Sequence, residues 1–239
     1  MEFLLDAHTH TLASGHAFST FTENVGAAKK AGLRLMAVTD HGPLMPGSAH
    51  ELHFIKLKTL PTEIDGVKIY PGVELNILND DGAVDLSERA LKLLKVIIAS
   101  FHGVCMQPVD KGYHTRAIVN AMHNPYIRII GHLCDPDYPF HIDEVVNAAK
   151  ATGTIIELNN KCLKPGSRRT DFETAIKMFK MCNEKNVHMI AASDAHYHTD
   201  VGNLVNAKEM ARQAGVKPEL ILNTDLEKFI KIIEDGKTV

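Results

Sequence analysis

The chain has no tryptophan, only four cysteines and no apolar run approaching the length of a membrane span. A helix that crosses a bilayer needs roughly 18 or more consecutive apolar residues, so a membrane-spanning class is excluded. The opening MEFLLDAHTH has no basic stretch before its short apolar segment, which Asp6 interrupts, so no secretory leader is expected. Cys105, Cys134, Cys162 and Cys182 are scattered, with no CxxC pair. Reduced, mostly buried thiols in a cytoplasmic protein are therefore expected, and a thiolate ligand within HGVC or HLC is the less favoured alternative. The formal net charge is −3, so there is no basic field to hold a nucleic-acid backbone. Without tryptophan or a basic cluster, a stacking channel for single strands is also disfavoured.

What is present is an ordinary globular composition, 45% hydrophobic and 23% charged over 239 residues. No linker rich in Gly, Pro or Ser and no fixed-period repeat divides it, so residues 1–239 are expected to form one domain. Apolar segments at 3–6, 34–39, 67–74, 95–100, 127–130, 154–158 and 188–192 read as strands. They alternate with helical segments at 22–31, 50–59, 87–94, 117–123, 142–151, 171–186, 204–214 and 226–234. That alternation predicts an α/β fold of parallel strands joined by crossover helices. Seven strands suit a closed or nearly closed barrel, with a doubly wound open sheet as the other solution. The strands are nearly continuous in apolar residues, as expected when both sheet faces are covered. The stretches NDDGAVD (79–85) and KCLKPGSRR (161–169) read as surface loops.

The functional signal lies where these strands stop. FLLDAHTH, LMAVTDH, IYPGVE, VIIASFH, IRIIGH and MIAASDAH each run from apolar residues into a metal-ligand type. Together with His16 they supply His8, His10, His41, Glu74, His102, His132, Asp194 and His196. Imidazole and carboxylate donors suit zinc, manganese or iron. In either α/β architecture the site lies at the carboxyl ends of the strands, so the fold would gather these residues. Alternate residues of an extended chain point the same way, so His8 and His10 can share an ion, and Asp194 and His196 repeat the spacing. A lone loop histidine is usually solvated or hydrogen-bonded, and that reading is applied to His50, His53, His114, His123, His141, His188 and His198, with His53 alone placed to line a pocket entrance. Asp6 and Asp40 are expected to accept the second ring N–H of a ligating histidine.

The HTH near the amino terminus, TDH at 39–41, GVE at 72–74, the isolated His102 and His132, and the late SDAH resemble the PHP (polymerase and histidinol phosphatase) superfamily. The resemblance covers essentially the whole chain and is greatest to its small stand-alone phosphatases of the YcdX type. It implies a distorted seven-stranded (β/α) barrel with a trinuclear metal centre. His8, His10, Glu74 and Asp194 would hold the first ion, and Glu74 would bridge to a second held by His102 and His132. His16, His41 and His196 would hold the third. Zinc is the first expectation for the three divalent ions, with manganese or iron as alternatives. Glu157, in IIELNN, is not a ligand in this pattern and is expected to be a structural or ligand-supporting carboxylate.

Three ions in one pocket suit hydrolysis of a small phosphate monoester by metal-activated hydroxide, with Glu74 and Asp194 in the catalytic apparatus. Arg168 or Arg169 is expected to clamp phosphate, with Arg168 taken as the candidate, solvated surface charges as the alternative for both, and Lys161 in the same loop as the weaker candidate. Phosphodiester or exonuclease cleavage at the same ions is the rival enzymatic reading, and a non-catalytic metal-binding module is the rival outside catalysis. A small phosphorylated substrate is the expected partner, with neither nucleic acid nor membrane. The sequence leaves self-association open.

Overall fold

A computed structural model describes residues 2–164 and 170–236. Its strands are β1 (Leu5–Asp6), β2 (Leu35–Val38), β3 (Glu63–Ile64), β4 (Val67–Asn76), β5 (Val96–Ser100), β6 (Ile129–Ile130), β7 (Ile155–Asn159) and β8 (Met189–Ala192). Seven of them pair in parallel in the order β1-β2-β4-β5-β6-β7-β8, and β3 forms a short antiparallel hairpin with β4. The helices are α1 (Phe21–Lys30), α2 (Glu51–Lys56), α3 (Glu88–Leu91), α4 (Lys111–His123), α5 (Ile142–Thr152), α6 (Phe172–Glu184), α7 (Val205–Gln213) and α8 (Leu226–Asp235). The expected alternation is thus observed, as a nearly closed barrel rather than an open sheet. No helix among the described residues is long and apolar enough to cross a membrane.

Strand period sorts the side chains into two layers. Leu35, Ala37, Tyr70, Val96, Ile98, Ile129, Ile155 and Ile190 fill the barrel interior, together with Leu226, Phe229 and Ile233 of α8. Those α8 residues recur at helical spacing, so one apolar stripe plugs the amino-terminal mouth. Ile97, Ala99, Ile130, Ile156 and Met189 face outward, beneath the helices. The same parity carries Glu74 and Asn76 of β4, and Glu157 and Asn159 of β7, into the interior near the carboxyl ends, where all four are buried.

Helix boundaries follow local chemistry. Thr20 caps α1 through a reciprocal capping box with Glu23. Gly153, at φ 67°, ends α5 in the left-handed conformation that a residue without Cβ adopts freely. Helix α4 begins earlier than the sequence predicts because Asp110 accepts from the Tyr113 N–H, a cap that offsets the weak helix formers of its first turn.

Closure between β1 and β8 is made by polar groups at both ends of the barrel. At the carboxyl end the His10 and Asp194 N–H groups donate to Ala195 and His8 carbonyls, at 2.9 and 3.0 Å. Deeper down, buried Asn223 donates to the carbonyls of Leu5 (2.9 Å) and Ala191 (2.7 Å) and accepts from the Ala191 N–H (2.7 Å). One amide side chain thus replaces the ladder missing between the first and last strands.

The cysteines depart from expectation. Cys134 and Cys162 form a disulfide, with Cα atoms 6.6 Å apart, and only Cys105 and Cys182 are free. The two half-cystines are 28 residues apart in sequence, but β6 and β7 are paired neighbours, so the loops that follow them meet.

Replacing Asn223 by Ala would strand three buried backbone groups, each costing about 1–3 kcal/mol when unsatisfied. A loss of roughly 3 kcal/mol or more in urea unfolding is expected. A change below about 0.5 kcal/mol, the usual range of a neutral surface substitution, would show that Asn223 does not seal the barrel.

Candidate metal centre

The two carboxylate oxygens of Glu74 organise the site. Oε2 faces His41 Nδ1 at 2.7 Å, His8 Nε2 at 3.2 Å and His10 Nε2 at 3.5 Å. Oε1 faces His132 Nε2 at 3.0 Å and His102 Nε2 at 3.4 Å. Asp194 Oδ1 lies 3.3 Å from His10 Nε2 and 3.2 Å from His196 Nδ1. His196 Nε2 in turn lies 3.1 Å from His16 Nε2. All nine sequence-predicted residues therefore meet at one mouth of the barrel. Three subsets have ligand atoms close enough to share an ion: His8–His10–Asp194, His41–Glu74–His102 and His10–His41–His196. His41 stands between groups, stacked on His16 with ring centroids 4.8 Å apart while its Nδ1 touches Glu74.

Around these residues lies a layer of hydrogen-bond partners that departs from expectation at Asp6 and Asp40. His8 Nδ1 meets Glu157 Oε1 at 2.6 Å, His102 Nδ1 meets Asn76 Oδ1 at 2.7 Å, and His10 Nδ1 meets Ser14 Oγ at 3.0 Å. Asp6 and Asp40 do not take this role. Asp6 accepts from the backbone N–H groups of Ser193, Gly202 and His8. Asp40 accepts from Thr11, Ser14 and the His53 ring, and reaches His10 only through Ser14. The two aspartates brace loops. Glu157 meets His8 in keeping with the structural or ligand-supporting role expected of it, whereas Asn76 was not singled out, though strand parity, which turns alternate residues of VELN inward, could have found it.

Among the remaining histidines, His53 bonds to Asp40 and does not line the cavity that opens above the cluster. His50 caps α2, His114 is buried between the Val109 N–H and the Pro139 carbonyl, and His188 immediately precedes β8, at the opposite end of the barrel. Lys161 reaches the site, its Nζ 3.1 Å from His196 Nδ1 and 3.7 Å from Asp194 Oδ1. Arg168 and Arg169 lie outside the described residues. Above the histidines opens a cavity of about 690 Å³ whose walls include Met45, Pro46, Phe101, Val104, Asp135 and Lys161.

The donor set fits divalent cations. Buried His8 Nε2, His10 Nε2, both His41 ring nitrogens, Glu74 Oε2 and Asp194 Oδ1 make no hydrogen bond. Buried polar atoms are rarely left so, and their convergence calls for a positive centre. The backbone agrees: His132 and Asp194 hold positive φ angles of 27° and 54°, costly for residues with a Cβ and typical of functional sites.

Electrostatics couple the group. Burial disfavours charge on His8, but Glu74, Glu157 and Asp194 outweigh it and raise its pKa well above the free-imidazole value. His132 is likewise raised, with burial opposed by its contacts to Glu74. Burial, with His41 and His196 nearby, holds His10 well below the usual range. Burial also opposes the ionised form of Glu74, yet His8, His102 and His41 keep its pKa well below an ordinary carboxylate.

The model of the PHP domain matches residues 6–163. The chain is 45% identical over 238 residues to a probable phosphatase of Thermoanaerobacter sp. (strain X514), covering 99% of this chain and 97% of that one. It is 38% identical to a probable phosphatase of Clostridium botulinum (strain Hall), covering 98% and 96%. This chain belongs to the PHP domain family. Among solved structures it is similar in fold to a histidinol phosphate phosphatase from Lactococcus lactis subsp. lactis Il1403, complexed with Zn, L-histidinol and phosphate. That match has a TM-score of 0.60 at 18% identity and covers 89% of this chain and 94% of that one. A second similar fold, from Listeria monocytogenes, has a TM-score of 0.57 at 14% identity, covering 83% and 97%. In this PHP chain the family match begins at Asp6 and ends at Leu163, so Asp194 and His196 lie beyond it.

The raised pKa values of His8 and His132 set a sign for metal uptake. An ion needs their lone pairs, so binding must expel the protons they hold. Zinc added to chelator-stripped protein near pH 7 is therefore expected to release protons into weakly buffered indicator solution, and affinity to rise with pH. Proton-neutral uptake, or affinity that rises toward acid, would contradict these assignments.

Proposed function

We propose that this chain is a single-domain, cytoplasmic metal-dependent phosphatase acting on small phosphate monoesters. In this reading His8, His10, His16, His41, Glu74, His102, His132, Asp194 and His196 hold three divalent ions, zinc foremost. The observation that carries it is the convergence of unsatisfied ligand atoms on Glu74 beneath an open cavity. Near full-length similarity to proteins named probable phosphatases supports the same reaction class. Bound ions would lower the pKa of water and neutralise phosphate oxygens.

The chain's own groups have distinct tasks. Glu74, with one oxygen toward His8, His10 and His41 and the other toward His102 and His132, is placed to join two ion sites. Lys161, beside Asp194 and His196, is the described cation nearest the ligands and can draw a phosphate toward them. Arg168 is proposed as a second clamp from the same loop. Met45, Pro46, Phe101 and Val104 offer apolar wall to the organic part of a substrate and exclude water from it. The described lining has a single lysine against two aspartates and no basic track, which favours a compact monoester over a polynucleotide. A metal-activated hydroxide would make a serine, cysteine or aspartate nucleophile unnecessary, so no covalent phospho-enzyme is invoked.

Wild-type protein purified without chelator is expected to carry close to three divalent ions per chain by elemental analysis. Glu74→Ala should abolish phosphate release from an aryl phosphate and lower the ion content, while His123→Ala and His188→Ala should stay near wild type. Equal losses in all three variants, or less than one ion in reconstituted wild type, would sink the trinuclear reading.

Direct attack by a solvent-derived oxygen also fixes stereochemistry. Hydrolysis of a chiral phosphate monoester should invert configuration at phosphorus. Net retention would require an enzyme-bound intermediate and would overturn the mechanism.

A further inference from the structure

Glu157 stands on β7 between two residues assigned to different ions. Its side chain is buried inside the barrel. Oε1 lies 2.6 Å from His8 Nδ1, while Oε2 accepts the His132 backbone N–H at 2.7 Å and Asn159 Nδ2 at 3.1 Å. His8 belongs to the group on one oxygen of Glu74, and His132 to the group on the other. The approach to His132 depends on the preceding residue. A Cβ on Gly131 would fall 2.3 Å from Ser100 Oγ, 3.0 Å from Ile98 Cγ2 and 3.3 Å from Glu157 Oε2, so a side chain there would collide with Ser100 first and also press on the carboxylate.

From this geometry we propose that Glu157 is a positioning residue that couples the first and second ion sites without touching either ion. The inference rests on the metal-centre reading above. By taking the Nδ1–H of His8, Glu157 fixes the tautomer in which the Nε2 lone pair points toward Glu74 and the ion. By taking the His132 N–H, it holds that residue in the positive-φ conformation that brings Nε2 to the other oxygen of Glu74. One rigid group thus sets the separation of two imidazoles from opposite sides of the Glu74 carboxylate.

A carboxylate is required because both of its oxygens only accept. Glutamine fails on one side or the other. With its carbonyl toward His8, its NH₂ meets the His132 N–H and Asn159 Nδ2, so donors face donors. Turned over, it presents NH₂ to the Nδ1–H of His8. Asn76 supplies a contrast, since its side chain supports His102 alone among the nine residues.

The test compares wild type, Glu157→Gln and Asn76→Ala by zinc competition against a chelator, ion by ion. Loss of such a partner typically weakens metal affinity about 10–100-fold. Glu157→Gln is expected to weaken two ions by that factor and leave the third near wild type, whereas Asn76→Ala weakens one. A second test does not depend on the folding of Glu157→Gln: ¹⁵N-histidine spectra of the zinc-loaded wild type should show His8 as the Nδ1–H tautomer. Wild-type affinity for all three ions in Glu157→Gln, equal weakening of all three, or an Nε2–H tautomer at His8 would each overturn the coupling. Wild type that takes up no zinc would sink the metal-centre reading and this inference together. Three ions in wild type with an unaltered variant would overturn this inference alone.

Discussion

A carboxylate with no access to water and five imidazoles around it is the constraint on which the rest depends. Glu74 cannot be neutralised by solvent, because it is fully buried, so its charge must be balanced by what the barrel brings to it. Histidine suits the task because imidazole can be charged or can offer a lone pair. The environment pulls the histidine pKa values apart, with His8 and His132 raised and His10 and His102 lowered. Histidines that face the same oxygen of Glu74 are thus made unequal by their burial and their other charged neighbours.

The barrel provides the geometry and the surrounding polar layer provides the angles. A ring placed at the end of a short strand still rotates about two torsions. Glu157, Asn76 and Ser14 each engage the ring nitrogen turned away from the cluster and remove that freedom. Asp6 and Asp40 act one step further out by fixing the loops from which His8, His10 and His41 project. Side-chain carboxylates and amides therefore do here what regular ladder hydrogen bonds do elsewhere in the fold.

Much of this was legible in sequence. The strands were readable because both faces are covered, which writes each as a continuous apolar run. The candidate ligands were readable because each run stops on a histidine or carboxylate. What escaped depended on neighbours in space. The Cys134–Cys162 pair follows from β6 lying beside β7, which local spacing does not encode. Asp6 and Asp40 lie close to His8 and His41 along the chain, which suggests ring-facing roles, yet backbone N–H groups, Thr11, Ser14 and His53 claim their oxygens. The hairpin of β3 with β4 is two residues long on its short side, too brief for a periodic signal. Helix α4 was cut short because its first turn is stabilised by a cap rather than by the residues within it.

The seam between the first and last strands has a consequence in time. Asp6 bonds to residues 187 and 196 positions later, and Leu5 to one 218 positions later. Contacts of such separation form late, because the intervening loop must close first. The donor set that includes His8 and His10 is incomplete until Asp194 has been synthesised and docked, although most of its members emerge early from the ribosome. A product that stops short of residue 194 would therefore carry most of the clustered histidines but lack both Asp194 and the seam that gathers them.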